Sequence, residues 1–410
     1  MEVKPGYKMT DVGVIPEDWE VKKFKDISEK IMVGIASAAT HAYREDGIVL
    51  LRNQNIKDGY LDDNDILYIS EEYEVLFKNK RLKAGDLLTA RTGYPGTTCI
   101  VPKKYEGAQS FTTLITRLKQ QELQSDFICY YINSEKGQFF FESNQIGGGQ
   151  KNVNAGSLKT MPIPIPPNKE EQHAIATALS DADALIHSLE RLIAKKRDIR
   201  QGAMQELLTG KKRLPGFEKK KGYKQTEVGM IPEDWEVKCL GEVSFIKTGS
   251  RNNENKVEDG IYPFYVRSPN VEKINTYAYD CEAILVPGEG NIGNIFHYIN
   301  GRFDVHQRVY AITRFSNEIS GKFIFYYMSK YFGHHALTYT VKATVDSLRL
   351  PTFQGFDIAT PPTLSEQTAI AAILSDMDAE IAALESKLTK ARQIKQGMMQ
   401  ELLTGRIRLT

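Results

Sequence analysis

The chain repeats itself, and this internal duplication constrains its architecture more than any other feature of its 410 residues. The segment YKMTDVGVIPEDWEVK at residues 7–22 returns as YKQTEVGMIPEDWEVK at residues 223–238, with 13 identities in 16 positions. A second pair, EQHAIATALSDAD from Glu171 and EQTAIAAILSDMD from Glu366, agrees at 9 of 13 positions, and QELLTG closes both copies. Between these segments the copies match only faintly. The pattern predicts one common frame that carries two different interiors.

Each copy has the pattern of a mixed α/β globular region followed by one long helix. Runs of β-forming residues, bounded by Gly, Pro and Asp-Gly, predict strands within 47–56, 85–91 and 97–102. Aromatic residues at three- and four-residue spacing predict short core helices within 126–143 and 320–337. The fold class predicted from these signals is α+β.

The long helices carry clear start and seam signals. Capping-box-like spacings, Asn168-x-x-Glu171 and Thr363-x-x-Glu366, follow Pro-Pro pairs that cannot lie inside a helix, and the glycine of each QELLTG ends the pattern. Residues four and three apart are apolar at eight of ten positions in the first helix and nine of ten in the second, which predicts a coiled-coil seam. Separate amphipathic helices lying on their own cores are the alternative. The seam positions are Ile175, Leu179, Ala182, Ile186, Leu189, Ile193, Lys196, Arg200, Ala203 and Leu207, and Ile370, Leu374, Met377, Ile381, Leu384, Leu388, Ala391, Lys395, Met398 and Leu402.

The order of the segments predicts the direction of the two helices. The second globular region begins where the first helix stops and ends where the second helix starts, and the termini of a domain usually lie close together. We therefore expect two mixed α/β domains separated by two long antiparallel helices, with a pseudo-twofold internal repeat. The predicted division is a first domain at 1–167, a first helix at 168–210, a basic linker at 211–222, a second domain at 223–362 and a second helix at 363–405.

Composition excludes several classes of protein. The chain has 53 basic and 52 acidic residues, so nucleic-acid binding would need local patches or a basic partner. The four scattered cysteines form no CxxC pair, which favours reduced thiols over disulfides or a zinc site. No apolar run approaches the roughly 20 residues that span a bilayer. We expect a cytoplasmic protein without a membrane or metal site.

Two motifs resemble catalytic or cofactor sites and are better explained by structure. Residues 288–293, GEGNIG, fit a dinucleotide-binding pattern, but the following residues alternate as in a strand, and no helix follows to face a pyrophosphate. A turn between two strands, like its counterpart at 93–96, is the prediction. The repeated PEDWEVK has too short a spacing for a nuclease site, and Trp19 and Trp235 are expected to be buried anchors. The sequence predicts no active site and no cofactor in this chain.

Polar loops at matching places in both copies are the candidate binding sites. Arg is the side chain that reads guanine, and Asn or Gln reads adenine, in the major groove of DNA. Solvated loops without a ligand are the alternative. The candidates are Arg91, Thr92, Tyr94, Gln109, Gln150, Lys151 and Asn152 in copy one, and Asn291, Asn294, His306, Gln307, Arg308, Lys342 and Thr344 in copy two.

The ordered set of motifs resembles the specificity subunit of type I restriction-modification systems. The resemblance rests on IPEDWEV in each half, LLRNQNIKDG, MPIPIPP followed by EQ, MQELLTGKKRLPGF and GEGNIGNIFHYINGRFDVHQR. It implies a non-catalytic subunit whose two target-recognition domains each read one half of a bipartite site in double-stranded DNA.

The resemblance also implies partners. These are two methyltransferase subunits, which use S-adenosylmethionine to methylate adenine, and restriction motor-nuclease subunits. A coiled-coil adaptor joining two protein-binding domains is the alternative, and a self-contained nuclease or methyltransferase is a more remote one.

Overall fold

The computed structural model describes residues 3–119, 123–143, 152–217, 222–338 and 347–409. These residues form two compact units. The first unit combines Met1–Glu190 with Lys387–Thr410, and the second is Arg191–Ser386, so each unit contains part of both long helices. Every helix within the described ranges is too short or too polar to cross a lipid bilayer.

The first copy consists of short strands and short helices. Its strands are β1 (Tyr7–Thr10), β2 (Gly13–Pro16), β3 (Glu20–Lys23), β4 (Ser28–Val33), β5 (Tyr43–Arg44), β6 (Ile48–Arg52), β7 (Leu67–Ile69), β8 (Leu87–Thr89), β9 (Thr98–Ile100), β10 (Gln109–Phe111), β11 (Leu114–Leu118) and β12 (Pro162–Ile165). Its short helices are α1 (Glu71–Val75), α2 (Ser125–Asn133), α3 (Glu135–Ser143) and α4 (Ala155–Thr160). The strands form the hairpin β1-β2, the pair β12-β3 and two four-stranded sheets, β10-β6-β7-β5 and β4-β11-β8-β9.

The first long helix, α5 (Lys169–Leu207), leads into the second copy. The strands there are β13 (Tyr223–Thr226), β14 (Gly229–Pro232), β15 (Glu236–Cys239), β16 (Phe245–Thr248), β17 (Tyr262–Tyr265), β18 (Glu272–Ile274), β19 (Tyr279–Pro287), β20 (His297–Val305), β21 (Val309–Thr313) and β22 (Asp357–Thr360). The helices are α6 (Leu240–Val243), α7 (Gly321–Thr338), α8 (Leu350–Gln354) and the second long helix, α9 (Leu364–Leu402).

The frame is shared between the copies and the interior is not. The hairpin β13-β14 and the pair β15-β22 repeat β1-β2 and β12-β3, whereas the interior strands of copy two form one six-stranded sheet, β16-β21-β19-β20-β17-β18. The predicted strand runs of copy one contain β6, β8 and β9. The predicted core helices are present, although the first is interrupted at Ser134, whose backbone is extended between α2 and α3.

The two long helices begin as their sequences predict. The Asn168 side chain accepts a hydrogen bond from the Glu171 backbone N–H at 3.0 Å, and the Thr363 hydroxyl accepts one from the Glu366 N–H at 3.3 Å. Each helix is 39 residues long, and all twenty predicted seam positions are buried or half-buried. This periodic burial confirms the predicted seam.

Ion pairs show that the helices run antiparallel within each unit. In the first unit, Lys395 pairs with Asp183 at 2.7 Å, while Arg392 pairs with the later residue Glu190. In the second unit, Arg197 pairs with Glu385 and Arg200 pairs with Asp378. As the position advances along α5, the partner therefore moves backwards along α9. The cations at the polar seam positions thus have acidic partners on the facing helix, which explains why the seam tolerates them.

A buried arginine closes the helix pair in the second unit. Arg213 donates from Nη1 to Asp234 at 2.8 Å and from Nε to Glu366 at 2.7 Å, and its guanidinium lies 5.8 Å from the ring centroid of Trp235. Its side chain is only 9% exposed. Arg213 lies in the segment predicted to be a basic linker, and its side chain packs into the junction and not into solvent. One arginine therefore joins the end of α5, the start of α9 and the entry to the domain.

The first unit contains the same junction at equivalent positions. Arg408 donates to Asp18 and Glu171 and lies 5.9 Å from the ring centroid of Trp19. This copy is more open, since the Arg408 side chain is 30% exposed and that of Asp18 is 50% exposed. The hydrogen bond from Arg408 lowers the pKa of Asp18, whereas burial raises the pKa of Glu366 in the other junction. The two junctions thus have the same set of partners and differ in how far they are buried.

We expect Arg213→Ala to destabilise the second unit more than Arg408→Ala destabilises the first. Removing Arg213 removes the cation that two buried carboxylates share, which costs about 3–5 kcal/mol, while the more exposed Arg408 junction should lose about 1–3 kcal/mol. The chain has two tryptophans, one beneath each arginine. Urea unfolding followed by fluorescence in a Trp19→Phe background reports the second unit, and a Trp235→Phe background reports the first.

Lys211→Ala, at an exposed position beside the junction, is the control and should change little. Equal losses from the two arginine variants, or a larger loss from Arg408→Ala, would contradict the assigned difference in burial.

Candidate nucleic-acid interface

Two glycine turns occupy equivalent places in the two copies. Gly93 and Gly96 have φ of 78° and 96°, and Gly290 and Gly293 have φ of 86° and 69°, a left-handed conformation that glycine adopts readily. The second turn joins β19 to β20, which pair antiparallel. The GEGNIG motif therefore forms the turn of a β-hairpin, as predicted.

Each turn is tied to the chain segment that returns to the frame ahead of the long helix of its own copy. The Val153 N–H donates to the carbonyl of Arg91 at 3.2 Å, and the Leu348 N–H donates to the carbonyl of Gly288 at 2.8 Å. These two bonds are equivalent in the repeat. The candidates Gln150, Lys151, Lys342 and Thr344 lie just before Val153 and Leu348, outside the described residues.

In copy one, the turn is firmly anchored and its tip is exposed. The Arg91 N–H donates to the Asn53 side chain at 2.7 Å, and Arg91 Nε donates to the Val153 carbonyl at 3.2 Å. Tyr94, at the tip, is 81% exposed, while Thr92 and Asn152 are half-buried. The turn therefore holds an aromatic side chain in solvent on a rigid base, an arrangement suited to contact with a ligand.

In copy two, four candidates lie on exposed loops. Asn294 donates from Nδ2 to Asn291 Oδ1 at 2.7 Å, so the two amides of this turn lie together. Gln307 donates to the Asn252 side chain, and Arg308 forms an ion pair with Glu289 at 3.2 Å. Asn291 is the positional equivalent of Tyr94. The same scaffold thus presents an aromatic ring in one copy and a paired amide in the other.

Gln109 and His306 are buried, unlike the other candidates within the described ranges, which are exposed or half-buried. Gln109 is fully buried at the start of β10, where its Nε2 donates to Glu74 at 2.9 Å and to the Phe77 carbonyl at 3.0 Å. Contact with a base would require it to give up these partners.

His306 is 5% exposed, and its Nδ1 accepts the Arg308 backbone N–H at 3.0 Å. Burial lowers the pKa of His306, and the nearby Arg267 and Arg308 act in the same direction, so the ring is neutral at pH 7 and can accept this bond. Its role is to shape the loop that carries Arg308.

Three residues of this region, Asn53, Arg267 and Glu289, were not among the candidates predicted from the sequence. The Asn53 side chain accepts a hydrogen bond from the Arg91 backbone N–H, and Arg267 Nη1 lies 3.5 Å from Glu289 Oε2. No local pattern marks Arg267, because its contact with Glu289 joins two loops that lie 22 residues apart in sequence. Within the described ranges, no three His, Cys, Asp or Glu side chains come together as a metal-ion site.

A family model covers both copies of the repeat. The model described as the type I restriction modification DNA specificity domain matches residues 16–195 and again residues 232–395. The two matches together span most of the chain.

Individual relatives match over nearly the whole length. A protein of Methanocaldococcus jannaschii, assigned as the MjaX type I restriction enzyme specificity subunit, is 28% identical and covers 98% of this chain and 97% of its own length. The MjaVIII specificity subunit of the same organism is 26% identical over 96% of this chain and 94% of its own length. The crystal structure of the type I restriction-modification S subunit from M. genitalium superposes with a TM-score of 0.66 at 16% identity, covering 98% of each chain. This last likeness shows a shared fold.

Proposed function

This chain belongs to the family of type I restriction-modification DNA specificity proteins, and from that premise we propose that it reads a bipartite site in double-stranded DNA. Each of its two domains reads one half of the site. The observation that carries the proposal is the pair of equivalent turns, which present Tyr94 in one copy and Asn291 in the other. One scaffold with two sets of side chains is what two different half-sites require.

The exposed loop residues have the chemistry to distinguish bases. An asparagine amide can donate to and accept from adenine, and an arginine fork can donate to guanine O6 and N7. Asn291, Asn294 and Arg308 supply these groups in copy two, and Arg91 and Tyr94 belong to the corresponding turn of copy one. Contacts to phosphates position the protein on the duplex and carry no sequence information. Partner subunits would share these contacts, which is compatible with the net charge of +1 on this chain.

The way each interior joins its frame supports independent reading. The interior of copy one leaves the frame at Lys23 and returns at Pro162, and these two residues are partners in the β3-β12 ladder. The interior of copy two leaves at Cys239 and returns at Asp357, which are likewise paired. Because the ends of each interior meet at one strand pair, an interior can differ without altering the frame.

We assign the chemical step to partner subunits. The proposed partners are two methyltransferase subunits, which bind S-adenosylmethionine and methylate adenine, and restriction motor-nuclease subunits, acting together in the cytoplasm. This chain would supply the choice of sequence and no catalytic group. The adaptor alternative is not favoured, because the family match includes both globular regions and not the helices alone.

An exposed surface that is repeated in both copies supports two identical partners. The helix segment RDIRQGAMQELLTG in copy one corresponds to RQIKQGMMQELLTG in copy two. Two of the retained residues, Ile199 and Ile394, are apolar and point to solvent, so internal packing does not explain why both copies keep them. The retained arginines, Arg197 and Arg392, pair with acids on the facing helix. We propose that each surface binds one methyltransferase subunit.

Methylation mapping tests the proposed function directly. We expect a host that expresses this chain with its methyltransferase subunit to carry methyladenine in one asymmetric motif, made of two short specified parts with a fixed unspecified gap. Long-read sequencing of its genomic DNA measures this. The methyltransferase subunit expressed alone is the control. A single continuous motif, or the same methylation without this chain, would contradict the proposal.

The partner surface has its own test. Ile199 is 47% exposed and Ile394 is 62% exposed, so Ile199→Glu and Ile394→Glu should leave folding intact while each removes one methyltransferase subunit from the complex. The double variant should bind none. Native mass spectrometry of the purified complex counts the subunits.

Leu185→Glu is the matched control for that test. Leu185 is an equally exposed apolar residue on α5, at 53%, but its counterpart in the second copy is Glu380. A surface shared by both copies cannot depend on this position, so the complex should keep two subunits. Loss of a subunit in Leu185→Glu, or two subunits retained in both isoleucine variants, would contradict the assigned surface.

A further inference from the structure

Three loops of the second unit meet at the carboxylate of Glu289. Arg308 reaches it from the loop between β20 and β21, with Nη1 at 3.2 Å from Oε1. Arg267 reaches it from the loop after β17, with Nη1 at 3.5 Å from Oε2. One carboxylate therefore engages two guanidinium groups, one on each oxygen.

The backbone around Glu289 is fixed on both sides. The Gly288 N–H donates to the Arg308 carbonyl at 2.9 Å, and the Leu348 N–H donates to the Gly288 carbonyl at 2.8 Å. Glu289 itself forms a bridge with Ser347. The backbone that carries Glu289 is thus held by two neighbouring segments, one of which is the loop of Arg308 itself.

The two arginines remain open to solvent while they are held. The side chains of Arg267 and Arg308 are 45% and 56% exposed, whereas that of Glu289 is 26% exposed. In both ion pairs the contact to Glu289 comes from the Nη1 atom of the guanidinium. The other N–H groups of each guanidinium can donate to a ligand, and the contact with Glu289 orients the guanidinium plane in which they lie.

We propose that Glu289 is a positioning residue that orients Arg308 and Arg267 for reading guanine in the half-site bound by the second unit. The inference rests on the proposed function and extends it to a base type and to two residues, Arg267 and Glu289. An arginine fork that donates to guanine O6 and N7 is the commonest specific contact in the major groove. An acidic neighbour that fixes the plane of the fork reduces the side-chain freedom lost on binding.

A simple surface ion pair does not account for the arrangement equally well. Exposed ion pairs stabilise a fold by little, and a carboxylate at a DNA-binding face repels phosphates. On electrostatics alone, Glu289 should weaken the binding of every DNA. If Glu289 positions the arginines, it should instead strengthen binding to the specific site. Affinity measurements distinguish these two opposite effects.

The test compares Glu289→Gln with Glu272→Gln in the complex of this chain with its methyltransferase subunit. Glu272 lines the same groove as Glu289 and pairs with Lys256 at 3.8 Å, so the control removes an equal charge without touching either arginine. The probes are a duplex with the motif found by methylation mapping, a set of duplexes with each base pair of both half-sites substituted in turn, and a shuffled duplex.

We expect Glu289→Gln to lower affinity for the motif duplex about 10-fold and to leave affinity for the shuffled duplex unchanged or slightly raised. Discrimination should be lost at G·C pairs of one half-site only. Arg308→Lys, which keeps the charge and loses the fork, should lose discrimination at the same pairs. Glu272→Gln should leave discrimination intact.

Two results would overturn the inference while the proposed function stands. The first is tighter binding of all duplexes by Glu289→Gln, as a charge effect alone requires. The second is an equal loss of motif and shuffled binding together with a lower melting temperature. If the wild-type complex failed to distinguish the motif from the shuffled duplex, the proposed function would itself be contradicted, and this inference with it.

Discussion

The architecture depends on one arginine in each unit, placed just beyond the end of a long helix. In the second unit, Arg213 joins Asp234 at the domain entry to Glu366 in the first turn of α9, and its guanidinium lies over the ring of the wholly buried Trp235. Arg408 makes the same junction in the first unit. Because each arginine follows one helix and binds the first turn of the other, the antiparallel pairing within a unit is fixed at the point where the domain begins. The apolar seam then extends that pairing.

This frame leaves the interior of each domain free to differ. Each interior begins and ends at two paired strand residues, so its fold imposes little on the frame. The interior sheets show this difference. Copy one has two four-stranded sheets, and copy two has one six-stranded sheet. The equivalent turns survive this divergence, together with their bonds to Val153 and Leu348. The scaffold positions the loops, and the loop residues determine what they can bind.

Much of the frame could be predicted from the sequence, because its signals are local and occur twice. The caps at Asn168 and Thr363, the seam and the hairpin nature of GEGNIG follow from short-range patterns that packing does not override. The buried roles of Arg213, Gln109 and His306 could not be predicted, since a polar residue in a loop has the same local pattern whether it meets solvent or a buried carboxylate. The same limit hid Arg267, whose neighbour Glu289 is 22 residues away in sequence. Four of the candidate residues lie outside the described ranges, and the DNA contacts of all the candidates are predictions.

The central claim is that two interiors recognise DNA independently while they share one frame. Exchange of one interior tests this claim most directly. Residues 24–160 lie between the paired strands β3 and β12, and they can be replaced by the corresponding segment of a relative with a different target. Methylation mapping of the resulting complex should show a new sequence in one half of the motif, with the other half and the gap unchanged. Alteration of both halves by this single exchange would show that the two interiors do not read DNA independently.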